Sequence, residues 1–62
     1  MCESSVYLEK DGEQELVLAD VAYMMPTEDG WLLTTIFGEK KAVAGRIKEI
    51  NLLDHKIIVI AL

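Results

Sequence analysis

Apolar and polar residues alternate with a period of two along most of the chain, and turn residues break the alternation at short intervals. The first stretch runs from Ser4 to Lys10, with Val6 and Leu8 on one face and Ser5, Tyr7 and Glu9 on the other. Asp11-Gly12 follows, a pair suited to the positive φ angles of a hairpin turn. A second stretch begins with Leu16 and Leu18 on one face, but from Val21 the apolar parity changes to Val21, Tyr23 and Met25. A one-residue slip exchanges the faces of a strand, so a bulge or bend is predicted near Ala19-Asp20. Pro26 to Gly30 reads as a turn, Trp31 to Phe37 as a strand rich in β-formers, and Gly38-Glu39-Lys40 as a third turn. A short strand over Lys41 to Ala44 leads to a pivot at Gly45. In the next strand, Arg46 to Leu52, Ile47 is out of step with Ile50 and Leu52, which predicts a second bulge near Lys48-Glu49. Asp54-His55 reads as a tight two-residue turn before a final strand, Ile57 to Leu62, that is apolar on both faces.

This pattern predicts an all-β fold, a small antiparallel barrel-like domain of six or seven strands. Leu16 to Met25 and Lys40 to Leu53 contain helix formers as well. Their β-branched residues and the short turn spacing favour strands, and a single helical turn near Ala42 to Gly45 is compatible with the pattern. The 62 residues make one domain, 1–62, without repeats or linkers. A chain of this length buries only about 60% of the surface its unfolded form exposes, and small scaffolds add disulfides, a metal or a partner subunit. A single cysteine forms no internal disulfide. A last strand that is apolar on both faces needs cover on both, which so short a chain can hardly supply alone. One face is expected in the core and the other against a second copy, making a homodimer.

Composition narrows the function. Apolar residues make up 52% of the chain, which excludes disorder, yet no apolar run approaches the ~20 residues of a membrane span. The first residues lack the basic start and apolar stretch of a secretion signal, so a cytoplasmic location with a reduced thiol is expected. The net charge is −5 and the basic residues are scattered, with only Lys40-Lys41 adjacent, which disfavours nucleic acid as a partner.

Cys2 is the residue whose position carries chemistry. Directly behind Met1, it brings together the free α-amine, its own backbone nitrogen and its thiolate. With Met1 retained, these three donors close two fused chelate rings around a planar metal. Tetragonal nitrogen donors suit Ni(II) or Cu(II), and thiolate adds affinity for soft metals. Cys2 alone cannot fill four positions, whereas two chains about a two-fold axis supply two thiolates and two nitrogens. The thiol (pKa ~8.5) and amine (~8) must lose protons, so affinity falls in acid. The competing reading is an incidental cysteine at a frayed terminus.

The remaining candidates read more simply. His55, the single histidine, is expected in a solvated turn, and Met24-Met25 point to opposite faces of a strand. Trp31 and Phe37 are expected in the core, and Tyr7 is undecided. Glu9, Asp11, Glu13 and Glu15 read as a solvated edge that discourages sheet-to-sheet aggregation. No Ser/His/Asp or Cys/His set and no phosphate-cradling glycine loop is present, so no enzyme is indicated.

In order, Met1-Cys2, Val6-Tyr7-Leu8, Asp11-Gly12, Leu16 to Asp20, Asp29-Gly30, Ile36-Phe37-Gly38-Glu39 and Gly45-Arg46-Ile47 resemble the CooT-type small nickel-binding proteins across essentially the whole chain. The resemblance implies a homodimeric, β-barrel-like metallochaperone that binds Ni(II) through Cys2, with terminal nitrogen from Met1 as co-ligand. It also implies a role in nickel supply to carbon monoxide dehydrogenase. A weaker resemblance is to the HypC-type maturation chaperones, which also begin Met-Cys; the proline that follows the cysteine there is absent, the single proline being Pro26. A protein-interaction module without stable metal and a small RNA-binding barrel are the remaining functional classes for a chain of this kind.

Overall fold

The computed structural model describes residues 3–62, so Met1 and Cys2 lie outside the described residues. Among the described residues there are six strands: β1 (Ser4–Lys10), β2 (Glu13–Pro26), β3 (Gly30–Thr35), β4 (Lys40–Ala44), β5 (Arg46–Asn51) and β6 (Lys56–Ile60). Among the described residues there is no helix, so the stretches rich in helix formers are strands and turns. The Asp11-Gly12 hairpin forms as expected: Lys10 faces Glu13, and φ is +54° at Asp11 and +81° at Gly12, the paired positive values of a type I′ turn.

β2 is long because it serves two neighbours in turn. Its first part pairs with β1, and from Val21 to Pro26 it pairs with β3. The change falls at the expected bulge. Ser4 faces Val21 while Val6 faces Leu18, which leaves one extra residue on β2, and Asp20 takes φ +60°. A second irregularity, between Val6–Leu18 and Tyr7–Leu16, leaves no mark in the apolar pattern. The bulge expected in β5 is present too, between the pairs Ile47–Val59 and Glu49–Ile58.

The strand order is β4-β3-β2-β1-β6-β5 in one sheet. Two features correct the expectation of an antiparallel barrel. First, the sheet is mixed, because β1 and β6 run parallel, Val6 beside Ile57 and Leu8 beside Val59. Second, no ladder joins the outer strands β4 and β5 among the described residues, so the sheet stays open. Both features trace to Gly45. It is the single residue between β4 and β5, and it turns a corner from one edge of the sheet to the other instead of making a hairpin reversal. One missing reversal puts β6 parallel to β1. The corner is tight: a Cβ on Gly45 would lie 2.2 Å from the Ile60 carbonyl oxygen, and its φ is +149°.

Val6, Val21, Leu33, Val43 and Val59 form the core, drawn from five strands, with Leu8, Leu18, Met24, Trp31 and Ile47 packed against it. The sheet curls around this single apolar layer, and the molecule is only 15 Å thick in its shortest direction. Trp31 is half-buried as expected, but Phe37 is 74% exposed. β3 ends at Thr35, two residues earlier than expected, and a turn swings Phe37 outward. The β5–β6 connection is also longer than expected: Asn51 faces Lys56, which leaves four residues, 52–55, between the strands.

β6 buries both faces within one chain. Val59 is fully buried in the core, and Ile58, on the opposite face, is 4% exposed. Lys48 of β5 reaches Glu9 of β1 at 2.9 Å, and β6 lies between those two strands. The Lys48 stem therefore crosses the outer face of β6, an apolar stem under a charged tip. Lys56 stands over the Tyr7 ring at 4.9 Å beside the same face, and Tyr7 faces Ile58 in the ladder. Part of the cover expected from a second copy thus comes from the chain itself.

Candidate functional site

The chain enters the fold at Ser4, the start of β1. Two elements hold this entry. On one side Ser4 faces Val21 just past the Asp20 bulge. On the other, the Ser5 N–H donates to the His55 carbonyl at 2.9 Å. The turn carrying that carbonyl is fixed by its own polar groups: the Asp54 N–H donates to Asn51 Oδ1 at 3.0 Å, and Asn51 Nδ2 donates to Asp54 Oδ2 at 3.2 Å. His55 closes the turn with φ +54°, an uncommon value for a residue with a Cβ. His55 is exposed, as expected of a turn residue.

The β3–β4 turn lies near the same entry, because Thr35 also faces Val21 and the Ile36 N–H donates to the Asp20 carbonyl at 2.9 Å. Among the described residues, Thr35 is the buried polar one, 5% exposed. Its hydroxyl oxygen accepts from the Phe37 and Glu39 N–H groups, both at 3.1 Å, and its carbonyl accepts from the Gly38 N–H at 3.0 Å. These bonds set the tip rigidly and leave Phe37 in solvent. On the β5–β6 turn, tied to the start of β1 by the Ser5–His55 bond, Leu52 and Leu53 are 76% and 88% exposed. Sequence reasoning missed these exposed apolar side chains, because Phe37 reads as the end of one strand and Leu52 as the end of the strand from Arg46.

Cys2 and Met1, the residues expected to hold metal, lie outside the described residues. Among the described residues, no three His, Cys, Asp or Glu side chains converge in a way that could hold a metal ion. Met24 is packed against the core while Met25 is exposed, so the two do face apart. The acidic series is not uniformly solvated. Glu9 is largely covered; it accepts from Lys48 at 2.9 Å and from Gln14 at 3.1 Å. The Lys48 hydrogen bond, with that of Gln14 behind it, holds the Glu9 carboxyl below the usual carboxylate range. No helix among the described residues is long and apolar enough to cross a membrane.

The described residues form an open, single-layer β sheet with exposed apolar side chains on the β3–β4 and β5–β6 turns, surfaces suited to binding another molecule. The comparisons make this specific. The sequence model of the family described as CO dehydrogenase accessory protein CooT matches residues 1–60, and the chain belongs to that family. It is therefore an accessory protein, not itself an enzyme. A crystal structure assigned as CooT from Carboxydothermus hydrogenoformans is 38% identical, with a TM-score of 0.91, over 98% of each chain. No curated protein matches the chain.

Proposed function

We propose that the chain is a nickel-binding metallochaperone that supplies Ni(II) to carbon monoxide dehydrogenase in the cytoplasm. One ion is held between the Cys2 thiolates of a homodimer, with terminal nitrogen from Met1 or the Cys2 amide completing the ligand set. The whole of 1–62 then acts as one metal-binding domain. Membership of a family of CO dehydrogenase accessory proteins carries this reading. The sequence adds a single thiol next to the terminal amine, donors suited to a tetragonal nickel site. Two copies are needed because one Cys2 with its nitrogens leaves the ion short of ligands. The nickel is cargo, which suits a site at the chain end, from which a ligand set can be exchanged.

A nickel titration read in the thiolate charge-transfer absorbance tests this. Wild type should saturate near half an ion per chain, with weaker binding in acid as thiol and amine keep their protons. Cys2→Ser should lose the band while keeping wild-type Trp31 fluorescence. One ion per chain that survives Cys2→Ser would overturn the reading.

A further inference from the structure

We infer that the open side of the sheet, between the first part of β2 and β4, is a docking groove for an extended segment of another protein, taken up as an added β-strand. The inference stands apart from nickel binding. The groove measures about 580 Å³. Leu8, Val17 and Val43 give it an apolar lining, and Leu16 and Ala42 lie on its two walls.

Its hydrogen-bonding capacity follows from the ladders. The Thr35 N–H donates to the Glu39 carbonyl and the Gly45 N–H to the Asp29 carbonyl, bonds that bracket the β3–β4 ladder at both ends. Hydrogen-bonded pairs alternate along an antiparallel ladder, so Lys41 and Val43 bond to β3. The N–H and C=O groups of Lys40, Ala42 and Ala44 then point away from β3, toward the groove. On β2, the two-residue turn makes Lys10–Glu13 a hydrogen-bonded pair, and Glu15 follows the same parity. Gln14 and Leu16 therefore direct their backbone groups away from β1. Among the described residues, no strand pairs with either of these free edges. Two free backbone edges on one groove with an apolar floor call for an extended polypeptide, whose main chain offers donors and acceptors to both sides.

Charge selects among extended segments. By register, Glu15 faces Leu8 and Lys41 faces Leu33, so both charges belong to the inward face, on opposite walls. A strand with a small apolar residue toward the lining, a carboxylate toward Lys41 and an ammonium toward Glu15 fits both walls. The partner is thus a protein offering a strand of alternating small residues with one acid and one base on the same face.

The test uses the peptide acetyl-Thr-Glu-Thr-Val-Thr-Lys-Thr-amide, titrated into the nitrogen-15-labelled protein. Saturable amide shifts and slowed amide exchange are expected at Gln14, Leu16, Lys40, Ala42 and Ala44. The same peptide with proline for valine should not bind. Ala42→Pro removes an N–H that the fold does not use, on an edge strand that tolerates proline, and should weaken binding at least tenfold with Trp31 fluorescence unchanged. Lys41→Glu, which leaves the backbone intact, should weaken it severalfold. Cys2→Ser should bind the peptide as wild type does, so failure here leaves the nickel reading standing. The absence of shifts overturns the inference, as do shifts confined to β5. So does protection of these amides in the free protein that grows with concentration as it dimerises, since a second copy would then hold the groove.

Discussion

The two faces of β6 are both buried, but by different means. Val59 belongs to one buried cluster with four other apolar side chains contributed by four other strands, and its burial is the fold. Ile58, one residue away, is covered by neighbouring strands together with long side chains lying across them: the Lys48 stem on its way to Glu9, and Tyr7 beneath Lys56. The first kind of burial is close-packed and shared among many residues. The second is a roof of long side chains charged at their tips, outside the shared core. A protein of this size thereby covers a two-faced strand without a second layer.

The contrast predicts unequal responses to the same insult. Val59→Lys places an unpaired charge in the core, a loss of roughly 3–5 kcal/mol or more, about the whole stability a core this small supplies. It should abolish cooperative unfolding, monitored by Trp31 fluorescence against denaturant. Ile58→Lys needs only that one more lysine extend along the outer face and reach water, at about 1–2 kcal/mol. This variant should stay folded and, if the outer face of β6 is the seam of the homodimer, sediment as a monomer. A folded Ile58→Lys dimer would place the seam elsewhere, and an unfolded one would mean that the roof is as close-packed as the core.

Much of the fold is legible in the sequence because local chemistry decides it. The Asp11-Gly12 turn, the Asp20 bulge and the β5 bulge each follow from a residue preference or a parity break. What escaped was decided at a distance. Gly45 reads as a pivot, but that it links opposite edges of the sheet, with no room for a Cβ beside Ile60 and Val59, depends on where β6 lies, far along the chain. Phe37 carries no local sign of exposure, since the hydroxyl of Thr35 that ends its strand is an ordinary strand residue in sequence. Glu9 reads as one of four similar acids, and its partner Lys48 is 39 residues away. The candidate site divides the same way: Cys2 stands out by position alone, whereas the exposure of Phe37, Leu52 and Leu53 is decided by where two strands end, at Thr35 and at Asn51.

The smallest effect concerns the roof's charged tips. Lys48→Met keeps the apolar stem over Ile58 and removes the ammonium, so it should leave folding intact and alter only the dependence on acid. Glu9 has its pKa lowered in the folded protein, first by the Lys48 hydrogen bond and then by that of Gln14. A carboxyl whose folded pKa lies below its unfolded one binds more protons when unfolded; its stabilising contribution is complete above the unfolded value and disappears as pH falls through the folded one. Wild type should therefore lose a small increment of melting temperature as pH drops from the ordinary carboxylate range, near 4.5, toward lower values. Lys48→Met should lose less over the same interval, and the difference should shrink in high salt because the Lys48 end of the pair is open to solvent. Parallel acid melting curves for the two proteins would mean that the Lys48–Glu9 contact contributes cover to β6 and no charge stabilisation.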